Sequence, residues 1–214
     1  MIAGIAGGIA SSTLSPLLHS RRSHKLGPEA DRQEAVFFLG AYLGMLTQCA
    51  FIIYGGVATA TPALLGMFGL SAILVVVMIG VRHWRTAGDD YEVGTSHPPH
   101  ILDLAKLAAF MLALVLITHG LQATFGAGAL LVVTALASFF EMHGALMSNI
   151  QLRALGRIDD QLLATLFLIS LMASNLSKAG IAMFQGSPYF RRKVFLWLAM
   201  LSAAQILSWS LLAR

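Results

Sequence analysis

The chain is poor in charge. Only 11% of its 214 residues are Asp, Glu, Lys or Arg, whereas a soluble domain carries about 25%. So little polar material does not cover a globule in water. Cysteine is nearly absent. Cys49 stands alone in an apolar run, so no intrachain disulfide forms, and the residue reads as a small packing group. The period-two alternation of membrane strands is missing, which favours helices. H-E-x-x-H, G-x-S-x-G and P-loop signatures do not occur, so no enzyme, cofactor or metal site is expected. The net charge is +4, but the basic residues sit in short connections. No basic groove interleaved with stacking aromatics is evident, and no nucleic-acid partner is expected.

What is present is apolar sequence. Hydrophobic types make up 57% of the chain, and the mean hydropathy of +0.76 is concentrated in seven segments. These run over 2–18, 35–58, 62–81, 102–122, 128–149, 161–184 and 193–212. A crossing helix needs about 20 such residues. The expectation is an all-α, polytopic transmembrane bundle of about seven helices, with the lipid bilayer as its first partner. It forms a single domain over 1–214, with halves at 1–81 and 102–214 around a polar linker, 82–101. His83, His97 and His100 flank or occupy that linker without zinc spacing. The opening MIAGIAGGIA lacks the charged start of a signal peptide and reads as the end of a membrane helix or a short one.

Charge then orients the spans. If all seven cross, one side holds Arg21, Arg22, Lys25, Arg32, Arg82, Arg85, Arg153, Arg157 and Arg214, and the other Arg191, Arg192 and Lys193. The richer side is cytoplasmic by the positive-inside rule. That puts the N-terminus outside and the C-terminus in the cytoplasm. Segments one to three match five to seven in layout: a helix of small or polar residues, a basic connection, a helix with a central amide (Gln48, Asn175), a turn and a last apolar helix. An offset of four crossings keeps orientation, so the repeat is expected to be parallel.

A few polar side chains fall inside the spans. A carboxylate there costs roughly 2.5–3.5 kcal/mol on insertion scales, which singles out Glu141 as an ion or proton site or as a structural hydrogen bond between helices. Lys178 is its natural partner, and Asn175 projects from the same face three residues earlier. His143 is a metal ligand, a proton carrier or an interhelical hydrogen-bonding group; on a regular helix it sits about 200° from Glu141, so the two do not bind one metal unless the helix unwinds there. Ser11, Ser12 and Thr13 follow Gly7-Gly8 on the short first segment. Hydroxyls at a broken helix coordinate ions, although small residues also serve close packing.

Two stretches, GGIASSTLSPLLHSRR and SNLSKAGIAMFQG, resemble the C-terminal polytopic domain of unknown function in MgtC/SapB-type bacterial inner-membrane proteins, in order along nearly the whole chain. The resemblance implies a multi-pass protein of the bacterial inner membrane and a link to transport. Family members usually carry an acidic pair in the fifth segment, where this chain has FFEMHG with Glu141 and His143. The function expected is a transporter or channel-like protein for a small ion or solute. The alternative is a non-enzymatic regulator or assembly subunit acting on a partner membrane protein, or a homo-oligomer.

Overall fold

The computed structural model describes residues 14–26, 28–56, 62–83, 109 and 128–212. Within them are seven helices: α1 Leu14–Leu26, α2 Pro28–Gly56, α3 Pro62–His83, α4 Gly128–Phe140, α5 Met142–Ala154, α6 Asp160–Gln185 and α7 Pro188–Leu212. The all-helical expectation holds. Four helices, α2, α3, α6 and α7, are long and apolar enough to cross a membrane.

Local chemistry sets the boundaries. Pro28, Pro62 and Pro188 each open a long helix, at the position where a missing N–H costs nothing and the fixed φ is already helical. Ser187 caps α7, its Oγ accepting from the Phe190 amide at 3.1 Å. Asp159 caps α6 through the Leu162 amide at 2.7 Å. After α5 the chain turns on Gly156, at φ +68°. The Arg157 amide donates to the Leu152 carbonyl and the Gly156 amide to Arg153, the paired bonds of a Schellman stop.

The core joins α2, α3, α6 and α7. Phe38, Tyr42, Met45, Cys49 and Ile53 recur at three- and four-residue spacing on α2 and are buried, as a helix with one packed face requires. Phe38 meets Phe190 edge-on at 5.9 Å and Phe68 meets Phe167 at 6.1 Å. Outward faces are apolar instead. Leu176 is 65% exposed beside Asn175 at 4%, so the oily residue faces out and the amide in, as lipid contact demands.

Three expectations are corrected. The stretch 19–34 is not a connection: α1 runs to Leu26 through its basic residues and α2 starts two residues later, because nothing between Leu17 and Leu26 breaks a helix. Residues 2–13 and the segment 102–122, apart from residue 109, lie outside the described residues.

The second correction concerns 128–149, which is not a span. Thr134 Oγ1 donates to Asn149 Oδ1 at 3.3 Å; in a continuous helix these residues stand about 22 Å apart. Leu130 likewise shares a cluster with Leu152 and Leu166. The chain therefore folds back at Glu141, and α4 and α5 form a re-entrant hairpin whose arms of 13 residues reach about 20 Å.

The third correction, to sidedness, follows from the second. The Ser187 amide donates to Ser23 Oγ at 3.2 Å and Ser187 Oγ to Asp31 at 2.7 Å. The α6–α7 turn thus lies at the same end of the bundle as the α1–α2 junction. The C-terminal end of α7 lies at the opposite end, beside the start of α3, where Gly66 meets Leu212. α2 and α6 run in opposite directions, pairing Asp31 with Ser187 and Tyr42 with Asn175. A parallel repeat is incompatible with that.

Candidate functional site

The hairpin tip is built around one residue. Glu141 still donates its amide to the Ala137 carbonyl at 2.7 Å, the last bond of α4. Its backbone then turns extended, φ −147° and ψ 104°, and its side chain caps α5. Glu141 Oε1 accepts from the His143 amide at 3.0 Å and lies 2.9 Å from His143 Nδ1. A helix N-terminus carries unsatisfied N–H groups and partial positive charge, and the carboxylate meets both. The break brings Glu141 and His143 together, although a regular helix would part them.

The tip lies deep. Ser138 Oγ donates to Ser170 Oγ at 2.9 Å, so α4 enters alongside α6, and Glu141 lies three residues, about 4.5 Å, beyond that contact. Lys178 is 3% exposed and donates to Ser174 Oγ at 2.5 Å, one turn back along α6, as the tilt of helical side chains favours. Its ammonium therefore reaches the depth of Glu141 and senses that charge through space. The two form no hydrogen-bonded ion pair; the ammonium goes to Ser174 and lies 6.0 Å from the centre of the Tyr42 ring. The expected direct pair is thus corrected to a separated one. Beside it, among the described residues, His143 Nε2 is buried without a partner; Ser148 Oγ and Asn149 Nδ2 are so farther along α5, and Gln48 Oε1 on α2.

Asn175 belongs to a different assembly. Its Oδ1 accepts from the Tyr42 hydroxyl at 2.7 Å, and its Nδ2 donates to Ser202 Oγ at 3.0 Å and Gln205 Oε1 at 3.1 Å. Gln205 Nε2 donates in turn to Tyr42 at 3.2 Å and Ser71 at 3.0 Å. Four helices, α2, α3, α6 and α7, are tied by a network in which both amides use every donor. Gln48 takes no part in it. Ser11, Ser12 and Thr13 lie outside the described residues.

A second polar cluster escaped the sequence reading. Asp31 and Glu34, 5% and 0% exposed, sit on α2 beneath α1. Glu34 Oε2 lies 2.6 Å from His19 Nδ1, and the imidazole stacks on Phe37 at 5.6 Å. Asp31 receives Ser187 Oγ at the start of α7, where the helix dipole favours an anion. Each carboxylate is thus held through one oxygen, while Asp31 Oδ1 and Glu34 Oε1 are buried without a partner among the described residues. They were missed because 19–34 reads as solvated connection. At the opposite end Arg153 grips Asp160 at 2.7 and 3.3 Å, which holds the guanidinium pKa above its ordinary value.

Among the described residues no three His, Cys, Asp or Glu side chains converge on a metal position. A groove of about 400 Å³ between α2 and α3, lined by Leu46, Ala50, Ile53, Leu64 and Phe68, is apolar and does not include the tip.

Comparison with known proteins gives one match. The chain belongs to the family described as Domain of unknown function (DUF4010), which it matches over residues 1–186. No curated protein and no solved structure matches it.

Proposed function

We propose that this DUF4010 protein is a transporter or channel-like protein for a small ion or solute, working in the bacterial inner membrane and linked to MgtC/SapB-type proteins by the sequence resemblance. The single observation that carries the reading is the re-entrant hairpin with Glu141 at its tip. Backbone that leaves the helix inside a bilayer is tolerated where protein buries it or where it lines a cavity, and broken helices are how transporters build midplane ion sites. A carboxylate at such a break, with a buried lysine level with it and an unpartnered imidazole nitrogen on His143 beside it, is chemistry that a packing role does not require.

The helix directions support an inverted arrangement. α2 with α3 and α6 with α7 are oppositely directed pairs, α1 packs on both α2 and α6, and α5 packs on both α6 and α2. Inverted units rocking around a shared centre are a common means of alternating access. For orientation, Arg21, Arg22, Lys25, Arg32, Arg82, Arg191, Arg192 and Lys193 fall at one end and Arg153 and Arg157 at the other. Among the described residues this is eight against two, which supports an α1–α2 junction in the cytoplasm and an end of α7 outside.

The test is purified protein in liposomes with inorganic cations, anions and protons supplied as gradients. Movement of one of these, lost in Glu141→Gln, supports the reading; absence of any flux in correctly inserted protein overturns it. A regulator or assembly role draws on one observation, the outward apolar face of the hairpin, where Val132, Leu136 and Met147 are 60%, 56% and 47% exposed. Stoichiometric co-purification of another membrane protein, lost when that face is made polar, is its signature.

A further inference from the structure

We propose that the hairpin site exchanges a monovalent cation for the proton of Lys178. The inference rests on the transport reading of the tip and names its substrate class.

The argument begins with charge. Glu141 and Lys178 lie at one depth but make no hydrogen-bonded pair: the carboxylate is held by His143 and the ammonium by Ser174. Each keeps capacity for something else. Glu141 Oε2 takes no hydrogen bond from the described residues, its side chain is 19% exposed, and the lysine uses one of its three donors. In a low-dielectric interior the pair is tolerable because its net charge is zero. A cation entering at the Glu141 carboxylate adds one charge, and neutrality returns when Lys178 gives up one. Lys178–NH₃⁺ becomes Lys178–NH₂, its proton passes to water, and the cation replaces it as the carboxylate's counter-charge. Charge balance selects a monovalent ion, since a divalent one leaves a net positive charge buried. The single carboxylate at the tip agrees with that.

The surroundings suit a lysine that cycles. α2 presents Tyr42 and Cys49 to it, groups that are ordinarily neutral near pH 7. On the hairpin Glu141 lies at its depth, and on α7 Ser202 and Gln205 are engaged with Asn175, one turn away along α6. Among the described residues no anion hydrogen-bonds the ammonium. Deprotonation leaves an amine that still hydrogen-bonds Ser174.

Proton release tests this directly. Protein in weakly buffered detergent solution with a pH dye receives NaCl, KCl or LiCl, with choline chloride as control. Bound cation counted against acidity should show close to one proton released per ion, as linked binding requires. Glu141→Gln should abolish both signals. Lys178→Arg keeps the charge but does not deprotonate, so it should neither bind the cation nor release a proton while retaining the thermal midpoint of the parent. Absence of cation binding, binding without acidification, or release unchanged in Lys178→Arg overturns the exchange. Liposome flux separates the two readings: cation movement without counter-movement of protons sinks the exchange and leaves transport standing, whereas proton-linked binding without any flux sinks transport and leaves the site.

Discussion

Two polar regions lie within a few ångströms of each other on α6, and they are finished to different degrees. Around Asn175 both primary amides spend both of their N–H groups, the Tyr42 hydroxyl donates and accepts, and the bonds close into a ring across α2, α6 and α7 with Ser71 of α3 attached. One turn away, among the described residues, Lys178 makes a single hydrogen bond, Glu141 bonds through Oε1 alone, and His143 keeps a buried ring nitrogen without a partner. A saturated network rigidifies and has nothing left to offer a ligand. An unsaturated one has a cost in the resting protein that only a bound partner or a proton recovers. On the proposed reading, the amide ring is the fixed frame and the hairpin tip is where exchange happens.

That contrast is breakable by mutation. The largest effect is expected on transport: Glu141→Gln should lower flux at least about 100-fold, the counterpart of roughly 2.7 kcal/mol, with thermal unfolding in detergent nearly unchanged. A comparable loss of fold would make the tip structural and erase the distinction. Next, Asn175→Ala should destabilise by about 2–3 kcal/mol, because the buried Tyr42 hydroxyl loses its acceptor and Gln205 Oε1 loses its donor, and cation binding by the protein that remains folded should persist. Combining it with Gln205→Ala should cost clearly less than the sum of the two, since the pair shares bonds. Gly156→Ala, at a left-handed position, should cost about 1 kcal/mol and loosen the hairpin's return without touching the tip. Smallest is Thr134→Val between the hairpin arms, at about 0.6 kcal/mol, read as a slight fall in the unfolding midpoint.

Much of the bundle was legible before any coordinates. Four long apolar runs can only be helices in lipid, and Pro62, Gly186 and Pro188 marked their ends. Glu141 and Lys178 stood out for their cost. The hairpin was not legible, because hydropathy measures the medium around a segment and not its direction. An oily helix that turns back halfway reads like one that crosses, and the error carried into the sidedness of everything after it. Glu141 itself was the clue, as a residue that both ends one helix and caps the next. The amide ring was half legible: Asn175 was visible, whereas Tyr42 and Ser71 are unremarkable types in a span, and pairing is a property of packing. Asp31 and Glu34 were hidden for the converse reason, since charged residues near a helix start are ordinarily wet, and nothing in the pattern shows that α1 folds over them.

The length of α2 has a consequence of its own. At 29 residues it extends about 43 Å, well beyond an oily layer of about 30 Å. The excess lets its first turns, with Asp31 and Glu34, stand at headgroup level. Phospholipid heads would crowd against those carboxylates if α1 did not wrap them. The protein brings its own collar to the membrane surface, shielding two acids that would otherwise compete with lipid phosphates for the neighbouring arginines.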